Sequence, residues 1–390
     1  MQSLFDLICR ANNVQIGVCC LSDKDSVINE ENKSFFTIKK PLGVAYKLGQ
    51  FFYSAKEASR IHMEQVIPGL QKVVTQFRPD IIHVFGTENL YGLISKYTDV
   101  PVVVHIQGVL NSCFETFLPP GVSWRMILFS SLRLKNIMYN ISEKKVWIRN
   151  CITEQKIFKS ANYYMGRTEW DECIVRLYNP QAKYYKVWEV MRSEFYVEKV
   201  NRVYPTRPIF ISVLSWQLYK GLDFILRTAN VLNNIGFNDF EWRIYGNNSL
   251  SIAEKITKVK AKDVCVKIMG VVNAQKLKDE YLHATAYVHP SYMENSSNAI
   301  CEAQIMGCTP IATNVGGTSS LISHRDTGFL VPANDSAMMA YWMKYLFENE
   351  DVNRKIGMRC RLVSANRHDK KRIVQEVLGV YNQIIQEQLS

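Results

Sequence analysis

Short apolar runs that alternate with helical patterns constrain the fold of this chain more than any other feature of its sequence. The apolar runs have the length of buried strands, and segments with helical periodicity separate them. Since parallel strands need a crossover connection, usually a helix, this alternation predicts parallel sheets covered by helices on both faces. The predicted strands are 14–20, 81–85, 102–106, 163–165, 209–214, 242–245, 264–269, 286–289 and 310–313, and the predicted helices are 55–77, 88–97, 169–177, 221–236, 274–283, 298–306, 335–348 and 371–388.

Length and proline punctuation predict two domains. A chain of 390 residues is long enough for two. The segment 195–208 contains Pro205 and Pro208 and leads directly into a predicted strand, as a domain boundary would. We therefore expect an α/β fold of two doubly wound, Rossmann-like domains, 1–200 and 206–370, that face each other across a cleft. In such sheets ligands bind at the carboxyl ends of the strands.

The composition is that of an ordinary globular protein, with 47% hydrophobic and 21% charged residues. No apolar run approaches the ~18 residues of a membrane span. Asp6 and Arg10 interrupt the N-terminal segment, which therefore does not resemble a signal peptide. The ten cysteines include no CxxC pair, which is typical of reduced thiols. These features predict a cytoplasmic protein.

The net charge of +11 has one local concentration, at 121–160, where eight Lys or Arg residues face two acidic residues and apolar side chains interleave. Two interpretations stay open. The region is either a peripheral surface for anionic lipid headgroups or a lipid-pyrophosphate acceptor, or an amphipathic helix packed on its own domain with a solvated basic face. No recognition motif accompanies the charge, so we expect no nucleic-acid partner.

Two carboxylates follow the strand predicted at 286–289. Glu294 and Glu302 are separated by seven residues, and a helix is predicted to begin near Ser297 or Asn298. Glu294 would then lie in the loop above the strand and Glu302 in the helix. Backbone N–H groups at a helix N-terminus bind phosphate oxygens, and carboxylates accept hydrogen bonds from hydroxyls. The combination suits a nucleotide sugar.

An ordered set of motifs resembles the nucleotide-binding half of glycosyltransferase family 4, whose members are retaining enzymes of the GT-B architecture. The motifs are PSYME at 290–294, EAQIMGCTP at 302–310, NVGG at 314–317 and TGFLVP at 327–332, followed by Asp335. The resemblance implies a nucleotide-diphosphate sugar donor, UDP-linked, with no metal or other cofactor. It also implies a glycan or lipid-linked glycan acceptor, as in bacterial surface-polysaccharide assembly at the inner face of the membrane. A last helix at 371–390 would cross back to the first domain.

The resemblance assigns roles around the paired carboxylates. Glu302 matches the glutamate that holds the ribose hydroxyls of the donor, and Glu294 matches the one that contacts the donor sugar. Backbone groups of Asn298 and Ala299 lie where relatives bind sugar and diphosphate. For each carboxylate taken alone, the structural alternative is a surface acid or an acid near a helix N-terminus.

Three further positions in the second half follow the same resemblance. Lys220, followed by Gly221, matches the lysine whose ammonium neutralises the leaving diphosphate. A surface lysine at a helix start is the structural alternative. Gly246 matches a glycine turn near the phosphates, although such a turn is also common without a ligand. The backbone at Val271 matches the position where relatives surround the base.

His105, at the carboxyl end of a predicted strand, corresponds to a family histidine that reaches the donor sugar. The alternative of a satisfied core histidine stays equally open, and His83 is expected to be structural. Asp23 and Asp25 form a DxD sequence, the metal-binding motif of another glycosyltransferase fold. Its context does not match that fold, so we interpret it as a turn and expect no catalytic metal.

The sequence departs from the family pattern at two places. Ser215 stands where relatives carry an arginine, five residues before the lysine, so one phosphate-binding charge is missing or comes from elsewhere. The chain also opens with a predicted helix at 2–11, where relatives have a strand and a glycine-rich loop; we expect either a misplaced start or a natural loss of that strand.

Three functional hypotheses remain. The first is a retaining glycosyltransferase, with Lys220, Glu294 and His105 at the reacting sugar and the other matched residues on the nucleotide. The second, motivated by Ser215 and the missing loop, is a catalytically impaired scaffold that binds a nucleotide or a partner. The third is a nucleotide-sugar epimerase of the same fold, which would isomerise the sugar without an acceptor. A nicotinamide site is excluded because no GxGxxG motif follows a strand.

Overall fold

A computed structural model divides the chain into two compact units. The first comprises Met1–Phe114, Ser131–Glu189 and Lys370–Ser390, and the second comprises Glu115–Ser130 and Val190–Asp369. Residues 115–130 therefore belong to the second unit, and the basic region 121–160 is divided between the two. The structure describes residues 2–10, 14–30, 32–40, 53–128 and 134–389.

Helices and strands alternate along most of the described chain, as the sequence predicts. The helices are α1 (Gln2–Cys9), α2 (Ala55–Phe77), α3 (Leu110–Glu115), α4 (Trp124–Leu128), α5 (Leu134–Phe158), α6 (Glu169–Tyr178), α7 (Leu222–Asn234), α8 (Ser251–Thr257), α9 (Ala274–His283), α10 (Asn298–Ile305), α11 (Ser336–Glu348), α12 (Glu350–Arg367) and α13 (Lys370–Leu389). The strands are β1 (Ile16–Ser22), β2 (Ser26–Glu30), β3 (Lys33–Lys39), β4 (Ile82–Phe85), β5 (Val102–His105), β6 (Tyr163–Gly166), β7 (Lys183–Lys186), β8 (Ile209–Val213), β9 (Glu241–Tyr245), β10 (Val266–Gly270), β11 (Ala286–His289), β12 (Pro310–Thr313) and β13 (Phe329–Val331).

The first unit contains two sheets. A four-stranded parallel sheet has the order β4-β5-β6-β7, and a three-stranded sheet has the order β1-β3-β2. In the smaller sheet β1 runs parallel to β3, whereas β2 runs antiparallel to it. Asp23 and Asp25 lie in the connection between β1 and β2, outside both strands, in agreement with the predicted turn.

Local sequence explains how the first unit's elements begin and pack. Ser54 caps α2: its side chain accepts a hydrogen bond from the N–H of Glu57, and the carboxylate of Glu57 accepts one from the N–H of Ser54. All four residues of β5 are buried, and its three consecutive valines suit a strand covered on both faces. Helix α2 and strand β5 form part of the interior of the first unit, and the polar residues at the ends of its strands lie against that interior.

The second unit contains a six-stranded, wholly parallel sheet with the order β10-β9-β8-β11-β12-β13. Counted along this unit, the strand order is 3-2-1-4-5-6, the arrangement of the doubly wound dinucleotide-binding fold. Its topological switch point lies between β8 and β11, where the connections leave in opposite directions. A ligand is therefore expected to bind beyond the carboxyl ends of β8 and β11.

The structure confirms the predicted α/β architecture of helices and parallel sheets and differs in detail. The helix predicted at 88–97 is a 3₁₀ helix, Leu90–Lys96. The elements that were not predicted are β2, β3, β7, β13, α3, α4, α8 and α12; β13 has only three residues, and α12 is largely polar. Among the described residues, no helix has the length and apolar character needed to cross a membrane.

Candidate functional site

Two loops meet at the switch point of the second unit. One follows β8, forms the 3₁₀ turn Leu218–Lys220 and enters α7 through Gly221. The other follows β11 and enters α10 after Ser297, which occupies the N-cap position. Gly221 has a φ of +82°, and a Cβ built there would lie 2.1 Å from the carbonyl oxygen of Pro290. The two loops can approach this closely because glycine has no side chain.

This close approach brings the predicted lysine and the first predicted glutamate together. Nζ of Lys220 lies 2.8 Å from Oε2 of Glu294, and Nε2 of His289 lies 2.8 Å from the same oxygen. The Lys220 and Glu294 side chains are 15% and 14% exposed, respectively. A cation and an anion are thus held at the carboxyl ends of β8 and β11, and both remain accessible to a ligand.

The surroundings of Glu294 decide its charge. Burial by itself would raise the pKa of this carboxyl, but the ammonium of Lys220 and the hydrogen bond from His289 outweigh burial and hold the pKa well below its usual range. The ionised carboxylate accepts a hydrogen bond from Nε2–H of His289, and the Tyr287 hydroxyl lies 2.9 Å from Nδ1 of the same ring. Burial keeps that hydroxyl protonated, because it raises the pKa of Tyr287 well above the ordinary value.

Glu302, on α10, has a different partner. Its carboxylate is almost fully buried and accepts two hydrogen bonds from Arg192, one from Nε at 2.8 Å and one from Nη2 at 2.7 Å. Burial raises the pKa of Glu302, and the guanidinium of Arg192 opposes that rise. The same paired hydrogen bonds raise the pKa of Arg192. Glu302 is thus bound by an arginine of the segment that precedes β8.

The remaining predicted donor-binding positions of the second unit lie at or near the carboxyl ends of its strands. Gly246 directly follows β9 with a φ of +116°, and a Cβ there would lie 2.0 Å from the carbonyl oxygen of Leu214. Val271 follows β10 and is exposed, and Ser215, after β8, is exposed as well.

Asn298 and Ala299 form the first turn of α10. Asn298 is exposed, and the carbonyl of Ala299 accepts a hydrogen bond from the Tyr281 hydroxyl at 3.2 Å. Backbone N–H groups at a helix start have no partner within the helix and suit an anion. Along the chain, the N-terminus of α10, which is the positive end of the helix dipole, therefore lies between Glu294 and Glu302.

His105 belongs to the first unit, where it is the last residue of β5 and is fully buried. Its Nδ1 lies 3.2 Å from Nε2 of His83, and Nδ1 of His83 hydrogen-bonds the Tyr381 hydroxyl. Burial, reinforced by the charge of Arg167, lowers the pKa of His105 to about 3, so its imidazole is neutral. Its burial and its bond to His83 are those of a core histidine, whereas its buried Nε2 has no hydrogen-bond partner among the described residues.

Two residues of the site were not assigned from the sequence. His289 ends the strand before Glu294, and a polar residue at the last position of a buried strand was the signal that could have identified it. Arg192 precedes its partner Glu302 by 110 positions, and no local pattern reports such a pair. A basic residue near the end of the predicted first domain carries no sign of its partner.

Sequence comparison finds a family match within the second unit. Residues 206–349 match the family described as glycosyl transferases group 1. An uncharacterized glycosyltransferase of Haemophilus influenzae is 22% identical over 268 residues, which cover 66% of this chain and 74% of that protein. The capsular polysaccharide biosynthesis glycosyltransferase CapM of Staphylococcus aureus is 28% identical over 107 residues, 27% of this chain and 28% of that protein.

Structural comparison extends the likeness to nearly the whole chain. Sucrose-phosphate synthase from Thermosynechococcus elongatus superposes with a TM-score of 0.71 at 14% identity, over 97% of this chain and 91% of that one. HepE from Anabaena, in complex with UDP-glucose, superposes with a TM-score of 0.60 at 14% identity, over 94% of this chain and 99% of that one. The fold is therefore that of the two-domain GT-B class.

The family match and the fold agree. The chain has the GT-B fold, and its residues 206–349 are similar to the family described as glycosyl transferases group 1. Proteins similar to part of the chain include glycosyltransferases named for capsular polysaccharide biosynthesis in Staphylococcus aureus and for amylovoran biosynthesis in Erwinia amylovora.

Proposed function

We propose that this protein is a retaining glycosyltransferase that moves a sugar from a UDP-linked donor to a glycan or lipid-linked glycan acceptor in bacterial surface-polysaccharide synthesis. The observation that carries the proposal is the accessible pair of Lys220 and Glu294 at the switch point of a six-stranded parallel sheet. HepE, a structural neighbour, is known in complex with UDP-glucose, and CapM is named for capsule biosynthesis.

Positive charge at the switch point suits a departing diphosphate. As the bond between the sugar C1 and the diphosphate oxygen breaks, negative charge accumulates on the phosphate oxygens. Lys220 supplies a fixed cation there, and the N–H groups of Asn298 and Ala299 supply the positive end of α10. Interactions that strengthen as this charge develops lower the barrier more than the binding of the intact donor does.

The acceptor completes the reaction without a protein nucleophile. Its hydroxyl oxygen forms the new bond to C1 on the face that the diphosphate leaves, so the configuration is retained. The hydroxyl proton passes to the departing phosphate oxygen. The proposed mechanism includes no metal, because Lys220 and the helix N-terminus carry the positive charge.

The two carboxylates hold different parts of the donor in this proposal. Glu294, ionised and oriented by His289, accepts hydrogen bonds from hydroxyls of the sugar. Glu302 accepts hydrogen bonds from the ribose hydroxyls. Without a donor, Glu294 is the partner of Lys220, and a diphosphate would draw the ammonium toward itself. The role of His105 at the sugar stays a prediction, since its contacts in the first unit are those of a core residue.

A lipid-linked acceptor would meet the enzyme at the cytoplasmic membrane surface. Helix α5 is a long basic helix of the first unit, and Met138 and Tyr139 are exposed on it. Exposed apolar groups beside Lys and Arg suit a peripheral contact with anionic headgroups. Binding of vesicles with and without anionic lipid tests this part of the proposal.

The direct test is the release of UDP from UDP-glucose and other UDP-sugars, with and without polysaccharide acceptors. Lys220→Ala should lower the rate by roughly 100-fold, the effect of losing one group that stabilises transition-state charge. Lys276→Ala is the matched control, because Lys276 is bonded to Glu280 at 2.8 Å but is largely exposed. Equal rates in wild type and Lys220→Ala would contradict the proposal.

One observation favours a second candidate, a nucleotide-binding scaffold without turnover. Ser215 is exposed next to the switch point, at the position where the family resemblance predicts an arginine. A site with one phosphate-binding charge fewer would still bind the nucleoside through Glu302. Calorimetric binding of UDP combined with no UDP release for any acceptor would favour the scaffold.

A further inference from the structure

Arg192 is held in place from two directions. The guanidinium of Arg192 lies 5.0 Å from the ring centre of Phe195, which is fully buried. Nε and Nη2 of the same guanidinium donate the two hydrogen bonds to Glu302. Arg192 is also the N-cap residue of the short 3₁₀ turn Ser193–Phe195. The Arg192 side chain is nevertheless 45% exposed, so one side of the pair faces solvent and can be reached by a ligand.

The pairing leaves Glu302 able to bind hydroxyls. An ionised carboxylate has about four acceptor positions on its two oxygens. A planar guanidinium bonded side-on uses one position on each oxygen and fixes the plane of the carboxylate. The remaining positions point away from Arg192. Two neighbouring hydroxyls, such as those of a ribose, match two such acceptors.

The other groups that face Glu302 do not replace Arg192. Glu194, on the same turn as Arg192, adds negative charge and opposes ionisation. Tyr281 of α9 and Tyr287 of β11 also interact electrostatically with Glu302. Both tyrosines are neutral, because burial raises their pKa well above the ordinary value. Arg192 therefore supplies the positive charge that compensates the buried carboxylate.

We propose that Arg192 is a positioning residue of the nucleotide site, which fixes the plane of Glu302 and keeps it charged so that the carboxylate can accept hydrogen bonds from a vicinal diol of the nucleoside. This inference rests on the proposed function, because it takes Glu302 to be the ribose-binding group. Arg192 acts through Glu302 and does not itself touch the reacting atoms.

A first experiment needs no ligand. The melting temperature is measured from about pH 5 to pH 8 for wild type, Arg192→Met, Glu302→Gln and the double variant. Loss of Arg192 raises the pKa of the buried Glu302 further above its unfolded value, and a carboxyl with such a raised pKa loses stability as the pH rises. The melting temperature of Arg192→Met should therefore fall increasingly below that of wild type toward pH 8.

The Glu302→Gln background is the control for this measurement. There the effect of Arg192→Met should not depend on pH, because residue 302 carries no proton to lose. An effect of Arg192→Met that is independent of pH in both backgrounds would overturn the proposal, since Arg192 would then act as a packing residue alone.

A second experiment measures the affinity for UDP-glucose over the same pH range. In wild type the affinity should depend less on pH than in the variant, because Arg192 opposes the protonation of Glu302. In Arg192→Met it should be roughly tenfold weaker near neutral pH, the loss expected for charged hydrogen bonds, and should recover as the pH rises. The loss should appear in KM more than in kcat, and Arg192→Lys should fall between the two.

Arg207→Met provides the matched control, because Arg207 pairs with Asp239 at 2.8 Å on the exposed surface and should leave the affinity unchanged. An affinity of Arg192→Met equal to or tighter than that of wild type would overturn the proposal, and the tighter result would show that Arg192 competes with the ligand. If wild type bound no UDP-sugar, the proposed function and the ligand part of this inference would fail together. The melting experiment would still decide whether Arg192 controls the charge of Glu302.

Discussion

The carboxyl ends of the parallel strands carry charged residues in both units, but solvent reaches them to different degrees. In the second unit the pair of Lys220 and Glu294 is partly open, with side chains 15% and 14% exposed. In the first unit Arg167, after β6, and Glu189, after β7, are only 3% exposed each and lie 3.2 Å apart. The comparison shows that charge at a strand end does not by itself mark a binding site.

The first unit's buried carboxylates are bonded to the chain itself. Glu154 accepts hydrogen bonds from the Thr87 hydroxyl and from the backbone N–H groups of Leu110 and Asn111 at the start of α3. Those bonds give the backbone N–H groups at the start of α3 a hydrogen-bond partner, and they fix the loops that follow β4 and β5. The contacts of Glu154 and the pair of Arg167 and Glu189 therefore belong to the interior of the first unit, whereas the pair of Lys220 and Glu294 is partly exposed.

The largest expected effect is on stability in the first unit. Arg167→Met leaves the buried Glu189 without its cation, which typically costs about 3–5 kcal/mol. Hydrogen exchange of the first unit's amides should report this loss, while the affinity of the second unit for UDP stays unchanged. If the exchange rates of β5 and β6 matched those of wild type, the buried pair would not have the structural role assigned to it.

The next effect is on activity in the second unit. Glu294→Ala should lower the transfer rate by about 100- to 1,000-fold, because the variant loses both the sugar contact and the orientation of Lys220. Circular dichroism should show an intact fold, since the side chain is partly exposed and near a loop. A rate within a few-fold of wild type would remove Glu294 from the site.

A smaller effect is expected on the pH dependence of stability in the first unit. The folded-state pKa of His105 is about 3, below that of an unfolded histidine near 6.5. On acidification the unfolded chain takes up a proton that the folded chain does not, so this histidine's contribution to stability is lost as the pH falls from about 6.5 toward 3.

The measurement is the unfolding free energy of wild type and His105→Asn over that pH range. The variant should show a shallower decline, by at most about 1.4 kcal/mol per pH unit. Parallel curves would mean that His105 is accessible to protons in the folded state. That result would favour His105 as a residue that contacts the donor sugar.

The smallest expected effect sharpens the second unit's site. Ser215→Arg would introduce the charge that the family resemblance predicts at this position and should strengthen UDP binding several-fold, the gain expected for one charged hydrogen bond near the surface. Ser215→Gln, which is polar but uncharged, is the control. Equal affinity in both variants would show that Ser215 does not face the phosphates.

Much of the secondary structure of the second unit could be predicted from the sequence, because the sequence patterns that indicate its strands and helices are local. The bounds of β11 and β12 match the prediction, and α10 ends one residue before the predicted position. The placement of Glu294 in the loop and Glu302 in the helix followed from those bounds. The resemblance to a known family then supplied Lys220, which lies 74 positions from its partner.

The rest could not be predicted, because it depends on contacts between distant residues. The pair of Arg192 and Glu302 requires the folded chain, as does the packing of Phe117 near Tyr219, with ring centres 6.3 Å apart. Residues 115–130 were expected in the first domain, whereas the structure places them in the second unit. Strand β2 was missed because its sequence, SVINE, forms a mostly exposed edge without strict alternation.

The most direct test of the central claim, that the switch point of the second unit binds a nucleotide sugar through Lys220, is an equilibrium titration of wild type and Lys220→Ala with UDP-glucose. Wild type should bind, and Lys220→Ala should bind at least tenfold more weakly, because one charged contact to the diphosphate is lost. Equal affinities in the two proteins, or no binding of UDP-glucose to wild type, would contradict the claim.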